Sequence, residues 1–438
     1  MDTHAISLTD KLLAAPAAGR RINVGVLVDL PLGPGAGGHV RCWERLANAA
    51  LSYPDEVDLT VHFMGNLPEI RELGETVRYV VAPPVFSTER LPFLSHVPDH
   101  TDLAWRHPDL ARRLPRYDVI HTTDAYFAYA RTAMCIGRRL GIPIVNSIHT
   151  STPEYARLYT AQTVDRLFGT GVLARTLLTR LRVPERVEAR MLRQLTRYQR
   201  QCAFALVSRP EHLDGARALL GERAGLLRRG IDHALFHPAK RDRRWLAATH
   251  GIPPERFVVM SAGRLNQGKN VLFLAEAMAR LIANGIDAHL LCAGDGEDRP
   301  AILERLGPRV SCPGSVEPTE LARLYAAADL FAFPSRIEES ANVVLEALAA
   351  GLPVLVTREG GMGRVIADGA TGLILPGNDI NPWVGAATML AGDAGRRRRM
   401  SRAARRHAER AVPSWTQVLA EDLLPCWRDA AAHSRRAW

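Results

Sequence analysis

Two carboxylates eight residues apart, Glu338 and Glu346, have the types and spacing to hold a ligand. They flank the predicted start of a helix, for which Asn342 is a good N-cap, and Glu346 follows one turn later. Because the loop and helix after a strand lie at the carboxyl edge of an open α/β sheet, both carboxylates can face one ligand there. The pair predicts a polyol ligand, such as a sugar and a ribose. The alternative is that both carboxylates are solvated and only interact favourably with the helix dipole.

Two cations, Arg264 and Lys269, flank a glycine turn that follows another predicted strand. Placed five residues apart, they can grip a diphosphate and stabilise a phosphate leaving group. Lys269 has additional weight because only three of the 56 basic residues are lysines. A solvated pair beside a turn is the alternative.

Glycines and one histidine mark the ends of further predicted strands. Gly37 and Gly38 precede a helix, where backbone N–H groups and the helix dipole can approach an anion. Gly294 predicts a tight loop beside a nucleotide, the kind of ligand that the carboxylates, the cations and this glycine turn would together bind. A turn without a ligand is the alternative for both glycine segments. His149 ends a buried strand on the side that faces the site, although a lone histidine is more often structural.

Strand and helix patterns alternate along the chain and restart after residues 230–238. Alternation of this kind predicts parallel sheets covered on both faces. We predict strands at 22–28, 59–64, 77–81, 119–122, 144–147 and 204–207, and again at 258–262, 289–293, 310–313, 330–333 and 354–357.

The sequence therefore predicts an α/β protein with two doubly wound, Rossmann-like domains that face each other across a cleft. The length of 438 residues suits two domains. We predict an acceptor-side domain at 22–229, a linker at 230–252, a donor domain at 253–412, and a C-terminal helix at 413–438 that packs back on the first domain.

The formal charge of +10 favours anionic partners such as nucleotide phosphates or an anionic membrane surface. No nucleic-acid motif is present, so we expect no nucleic-acid partner. The six scattered cysteines fit a reducing cytosol, and we predict a cytoplasmic protein. With no Asp-x-Asp pair and no Cys/His metal spacing, we expect neither a metal nor a cofactor. We also expect no signal peptide and no membrane span.

The segment 163–200 combines many arginines with a run of apolar residues. This combination predicts an interfacial membrane helix, with a solvated helix face as the alternative.

In their order and spacing, these motifs resemble those of the retaining glycosyltransferases of family 4, which share the GT-B fold. The resemblance runs from about residue 22 to the C-terminus. Its motifs are Gly37-Gly38, Ile-His149-Thr, Gly230-Ile-Asp with Phe236 and Pro238, Gly263-Arg264 with Lys269, Gly294-Asp-Gly, Leu324-Tyr-Ala-Ala-Ala-Asp329, and Glu338 with Glu346.

The resemblance implies roles for these residues. Arg264, Lys269 and the Gly38 amide would hold the donor diphosphate, and Gly37, Gly294 and Asn342 also belong to the expected donor-binding residues. Glu346 would bind the ribose, while Glu338 and His149 would be the catalytic positions beside the transferred sugar. Retention without a protein nucleophile implies a front-face route, in which the departing phosphate oxygen helps to deprotonate the acceptor.

The chain departs from the family at two places. Glu339-Ser340-Ala341 stands where the family usually has Gly-Phe-Gly, and Arg364 stands where it often has a glutamate. The run 149–155 looks like that of members that act on lipids. We therefore expect a hexose-type sugar to move from a UDP- or GDP-linked donor to a membrane lipid or lipid-linked glycan, on the inner face of the membrane. The alternatives are a soluble metabolite or polysaccharide as acceptor, or a catalytically silent subunit.

Overall fold

A computed structural model describes residues 21–33, 36–94, 100–169, 171–336 and 342–433. Within these ranges the strands form two sheets, and the part of the chain around each sheet is called the first or second domain below. The strands of the first sheet are β1 (Ile22–Pro31), β2 (Val57–Met64), β3 (Glu69–Glu72), β4 (Val77–Ala82), β5 (Val119–Thr122), β6 (Ile144–Ser147), β7 (Phe204–Val207) and β8 (Ala224–Leu226).

The first sheet has the order β3-β4-β2-β1-β5-β6-β7-β8. All neighbours are parallel except the edge strand β3, which runs antiparallel to β4, so the predicted parallel sheet is confirmed with one antiparallel strand added at its edge. Neither β3 nor β8 was predicted. Every residue of β3 is exposed, so this strand has no apolar run, and β8 has only three residues.

The second sheet has the order β11-β10-β9-β12-β13-β14, and all its neighbours are parallel. The predicted strands are present, and β14 is an additional edge strand that the sequence analysis missed. Its strands are β9 (Phe257–Ala262), β10 (Ala288–Ala293), β11 (Val310–Gly314), β12 (Leu330–Phe333), β13 (Val354–Thr357) and β14 (Gly372–Leu375).

Helices connect the parallel strands and cover the sheets, because a parallel connection has to cross from one edge of the sheet to the other. The helices are α1 (Gly38–Ala50), α2 (Pro108–Arg113), α3 (Ala128–Leu140), α4 (Thr152–Phe168), α5 (Val172–Arg175), α6 (Val183–Gln199), α7 (Pro210–Leu220), α8 (Arg243–His250), α9 (Val271–Ala283), α10 (Arg299–Leu306), α11 (Pro318–Ala327), α12 (Asn342–Ala349), α13 (Asn381–Gly392), α14 (Ala394–Ala411), α15 (Trp415–Val418) and α16 (Leu424–His433).

The final helical segment lies against the first domain. It begins after Ser414, whose side chain caps α15, and runs through a π-helical turn (Leu419–Leu423) into α16. Trp415 and Trp427 are buried in the same apolar cluster as Val24 of β1 and Trp43 of α1. The chain therefore crosses from the first domain to the second and then returns.

The two crossings lie side by side. The backbone N–H of Ile231 donates to the Pro413 carbonyl (3.0 Å), and Ile231 pairs with Ser414 in a parallel bridge. A Cβ on Gly230 would lie 2.7 Å from the backbone of Trp415, so this close approach requires a glycine. The paired crossings form the covalent connection between the domains.

Candidate functional site

The loop that carries Arg264 and Lys269 follows β9 at the carboxyl edge of the second sheet. The Lys269 backbone N–H donates to the Asn266 side chain (3.2 Å). Asn270, at φ 55°, donates from its side chain to the Pro334 and Gly377 carbonyls (both 3.4 Å). The Lys269 ammonium lies 5.7 Å from the centre of the Phe333 ring. The loop is thus held against the end of β12.

Arg264 reaches the glycine turn of the first domain. Its Nη2 lies 2.5 Å from the position that a Cβ on Gly37 would occupy. Gly37 is the N-cap residue of α1, has an extended backbone and supplies no side-chain cap, and Gly38 begins the helix. The predicted anion-binding turn and the predicted cation therefore meet across the cleft, where a phosphate could contact the guanidinium and the helix N-terminus together.

Gly294 packs against the start of the same loop. At φ 148°, its Cβ would lie 1.9 Å from the Gly263 carbonyl oxygen. Beside it, the Gly263 N–H donates to the Ala293 carbonyl and the Leu265 N–H donates to the Asp295 carbonyl, both at 2.9 Å. Gly294 thus supports the loop that carries Arg264, and its contact with a donor stays a prediction.

Glu346 lies on α12 and is only 3% exposed. Its Oε1 accepts a hydrogen bond from Nη2 of Arg45 (2.9 Å), and its Oε2 accepts one from the Tyr325 hydroxyl (3.2 Å). Burial, followed by the neighbouring carboxylate, raises the pKa of Tyr325 well above its usual value. Because Arg45 belongs to α1, this ion pair joins the two domains at the carboxylate that we predict to hold the ribose.

Asn342 is part of α12, so the capping role predicted for it is not observed. Its Oδ1 is buried and has no hydrogen-bond partner among the described residues. A buried acceptor of this kind can be satisfied by a donor group on a ligand. Glu338, the other predicted catalytic position, lies outside the described residues, as do Glu339, Ser340 and Ala341, and its role stays a prediction.

His149 follows β6 and is 5% exposed. Its Nδ1 lies 2.9 Å from Nη1 of Arg229, and its Nε2 lies 2.7 Å from the Ser147 hydroxyl. A guanidinium can only donate, so Nδ1 accepts and the proton of the neutral ring is on Nε2. His121 has the same tautomer, because Trp427 donates to its Nδ1 (2.9 Å) and its Nε2 lies 2.8 Å from the Ser147 hydroxyl.

Burial, followed by the charge of Arg229, lowers the pKa of His149 well below its usual value. One face of its ring stacks on His39, with ring centres 4.6 Å apart. Since both nitrogens are engaged and the ring is neutral, His149 has no free lone pair with which to accept a proton. Its position suits a neutral side chain that lines the cleft.

Sequence reasoning missed several residues that the fold brings to the cleft. Arg45 gave no signal, because its partner Glu346 is 301 positions away. Arg229 directly precedes the Gly230 motif, and Arg364 stood out only as a departure from the family pattern. Arg209 and Arg364, from different domains, both contact Glu211.

The described ranges contain no group of three or more His, Cys, Asp or Glu side chains arranged to hold a metal ion. Among the helices described, none combines the length and apolar character needed to span a membrane.

Sequence comparison matches the chain to two family models. The model described as Glycosyltransferase Family 4 matches residues 36–209, and that described as Glycosyl transferases group 1 matches residues 256–393. Together they span more than two thirds of the chain. A relative, D-inositol 3-phosphate glycosyltransferase of Corynebacterium urealyticum, is 36% identical over 190 residues, which are 41% of this chain and 44% of that protein. The match thus spans less than half of this relative.

Solved structures share the fold over nearly the whole length. Sucrose-phosphate synthase from Thermosynechococcus elongatus has a TM-score of 0.67 at 18% identity, covering 92% of this chain and 97% of that one. The Anabaena protein HepE, solved with UDP-glucose, has a TM-score of 0.62 at 16% identity, covering 95% and 100%. The chain belongs to the family 4 glycosyltransferases and has their GT-B fold.

Proposed function

We propose that this chain is a retaining hexosyltransferase that uses a UDP- or GDP-linked sugar and needs no metal ion. The observation that carries the proposal is the contact of Arg264 with the Gly37 turn. It places a cation of one domain beside the helix N-terminus of the other. This arrangement suits a diphosphate bound between the domains. Lys269 is a second cation on the same loop as Arg264.

The proposed reaction breaks the bond from the anomeric carbon to the diphosphate oxygen. A bond to an acceptor oxygen forms on the same face of the sugar, and the acceptor proton passes to the departing phosphate oxygen. Arg264 and Lys269 neutralise the charge that develops on this leaving group. Glu346 would bind the ribose, Glu338 would hold hydroxyls of the transferred sugar, and His149 would position the sugar without exchanging a proton.

The names of similar proteins support one choice of substrates. HepE was solved with UDP-glucose, which favours a uridine donor. The C. urealyticum relative acts on D-inositol 3-phosphate, which favours a small soluble acceptor. We therefore propose a soluble polyol as acceptor in place of the membrane lipid that the sequence analysis favoured.

A membrane lipid stays the second candidate acceptor, because of the surface around α4, α5 and α6. Helices α4 and α6 pack together. Near the connection between them, four apolar side chains are 44–80% exposed: Leu167, Phe168, Val172 and Leu173. Arginines on α4, α5 and α6 accompany them. Apolar residues beside cations suit an anionic membrane surface.

Nucleotide binding tests the proposal directly. A ligand that binds only the folded state raises Tm, so UDP or GDP should stabilise the protein. Arg264→Ala should reduce the affinity for the nucleotide about tenfold or more, as expected for a lost charge-assisted hydrogen bond. The control Arg139→Ala changes an exposed arginine of α3 and should bind as the wild type does.

Turnover separates an enzyme from a silent subunit. Release of UDP or GDP from the matching hexose donors should be measurable, and Glu338→Ala should reduce it. Absence of turnover with every donor, with no effect of Glu338→Ala, would contradict the enzyme proposal. Co-sedimentation with anionic vesicles at low salt tests the second candidate, which is wrong if the vesicles do not retain the protein.

A further inference from the structure

Two cysteines lie side by side on neighbouring strands of the second sheet. Cys292 is on β10 and Cys312 is on β11, which pairs with β10 in parallel. The register pairs Leu291 with Ser311, so the next position on each strand is a cysteine. Neighbouring strands are about 4.8 Å apart, and the Cα atoms of a disulfide are about 4.4–6.8 Å apart. The two backbones therefore lie at a separation that a disulfide can bridge.

Both cysteine side chains are on the same face of the sheet. Every second side chain of a strand lies on one face, and Leu290 and Val310 are paired two residues before the cysteines. Leu290, Val310 and Cys292 are buried in one apolar cluster, and the partly buried Cys312 packs against that cluster. The Cys292 thiol donates a hydrogen bond to the sulfur of Cys312. The two sulfur atoms are therefore neighbours in the folded chain.

A β-bulge gives this pair room to adjust. Between the pairs made by Leu291 and Ala293, β11 contains one residue more than β10, so the register shifts there. Cys312 and Pro313 are the residues of β11 in this interval. Ladder hydrogen bonding is interrupted at a bulge, and a proline has no N–H to donate. The backbone at Cys312 can therefore adapt to a bond between the two sulfur atoms.

Cys312 carries the more reactive thiol of the pair. The hydrogen bond from Cys292, together with the charge of Arg299, lowers the pKa of Cys312. The same hydrogen bond, followed by burial, raises the pKa of Cys292. Cys312 is partly exposed, whereas Cys292 is buried. Because the thiolate is the form that attacks an oxidant, Cys312 reacts first and Cys292 attacks the product.

We propose that Cys292 and Cys312 form a redox pair that hydrogen peroxide oxidises to a disulfide and that a dithiol reduces again. The Cys312 thiolate attacks one peroxide oxygen, the O–O bond breaks, and the hydroxide that leaves takes up the proton released by Cys312. The Cys292 sulfur then attacks the sulfenic acid on Cys312, the S–S bond forms, and hydroxide leaves as water with the Cys292 proton. Two thiols are oxidised and one peroxide is reduced to two waters.

The disulfide would act on the loop that carries Arg264. Cys292 lies two residues before Gly294, which packs against Gly263 at the start of that loop. Gly294 also forms an antiparallel bridge with Gly314, two residues after the other cysteine. A bond that draws the strands together at the bulge shifts both contacts of Gly294, so we expect the oxidised protein to bind UDP or GDP less tightly. Only this effect on binding rests on the proposed function.

Peptide mapping by mass spectrometry tests the disulfide in the full chain. Reduced protein is treated with hydrogen peroxide, denatured, and alkylated at its free thiols. We expect a peptide with Cys292 linked to one with Cys312, and alkylation of four of the six cysteines. Dithiothreitol should restore alkylation of all six.

Three variants give the pattern that identifies the pair. Cys312→Ser should abolish the linkage. Cys292→Ala keeps the buried position apolar and should leave a sulfenic acid on Cys312 that a dimedone probe labels. Cys135→Ser is the matched control, because it removes an exposed cysteine of α3 and should leave the linkage unchanged. Two results would overturn the pair: both cysteines still reduced after peroxide treatment of the wild type, or either of them linked to a different cysteine.

The effect on the loop is measured as the rise of Tm with UDP or GDP concentration, in reduced and in oxidised protein. Oxidation should weaken nucleotide binding about tenfold, and Cys312→Ser should bind equally before and after peroxide. A mapped disulfide with unchanged affinity would overturn the effect on the loop but not the redox pair. Reduced protein that binds neither nucleotide would overturn the proposed function, and the effect on the loop with it, whereas the mapped disulfide is independent of both.

Discussion

At the scale of single residues, the cleft contains a histidine that is held neutral. His149 accepts a hydrogen bond from Arg229 and lies within hydrogen-bond distance of the Ser147 hydroxyl. Sequence reasoning placed it beside the transferred sugar but could not specify its tautomer, since Arg229 is 80 positions away. The front-face route needs no protein base, and this buried ring agrees with that requirement.

The pH profile of the enzyme tests this assignment. Because the pKa of His149 lies well below its usual value, the ring stays neutral as the pH falls through 6.5. We expect kcat/KM to show no acidic limb near pH 6.5 that depends on His149. His149→Asn should reduce the rate without changing the shape of the profile. A limb near pH 6.5 that disappears in the variant would contradict the assignment.

Buried histidines also predict how stability depends on pH. Burial lowers the pKa of His62 and of His121 to about 3. Below pH 6.5 the unfolded chain binds protons that the folded state excludes, so stability falls as the pH drops from 6.5 towards 3. The slope is at most about 1.4 kcal/mol per pH unit for each histidine. Urea unfolding at pH 7 and pH 5 measures it, and His62→Gln should reduce the slope.

At the scale of elements, apolar runs predicted most of the sheets. β6 has the bounds that were expected, and β9 differs by one residue. Two edge strands were missed because β3 is exposed throughout and has no apolar run, and because β8 has only three residues. The loops of the candidate site were predicted from their place after strands, because carboxyl edges of parallel strands bind ligands. The contacts that hold these loops in place, such as that of Gly294 with Gly263, depend on the register between β9 and β10. Sequence patterns do not give this register.

Gly294→Ala should disrupt the loop of Arg264. A Cβ there would lie 1.9 Å from the Gly263 carbonyl oxygen, and φ 148° strains any other residue. We expect a lower Tm and weaker stabilisation by UDP or GDP. Gly385→Ala is the matched control: its Cβ has open space within α13, and it should stabilise the protein by up to about 1 kcal/mol. If the Gly294→Ala protein were as stable as the wild type, the Arg264 loop would not depend on the close packing of Gly294 against Gly263.

At the scale of the whole molecule, one arginine contacts both domains and both crossings between them. Arg45 of α1 pairs with Glu346 of the second domain. Its guanidinium carbon also lies 5.6 Å from the ring centre of Phe236, after the first crossing, and 5.9 Å from that of Trp415, after the second. Local periodicity could not predict this contact, because it depends on how the two domains face each other.

If Glu346 binds the ribose as we propose, its ion pair with Arg45 makes ribose binding and domain contact compete. If a ribose hydroxyl binds to Oε1 of Glu346, Arg45 has to share that oxygen or leave it. Arg45→Met keeps an apolar side chain between the rings but removes the cation. Losing one partner of a buried pair is destabilising, and with Arg45 20% exposed we expect a cost near the lower end of roughly 3–5 kcal/mol.

The same substitution should nevertheless strengthen nucleotide binding. With Oε1 of Glu346 released, the ribose no longer displaces Arg45, and the affinity for UDP or GDP should rise about tenfold, or about 1.4 kcal/mol. The measurement is Tm as a function of nucleotide concentration, which should rise more steeply than in the wild type. Arg41→Met is the control, since Arg41 lies one turn earlier on α1 and pairs with Glu44 of the same helix. Equal nucleotide-induced shifts in Arg45→Met and the wild type would mean that the ribose and Arg45 do not compete for Glu346.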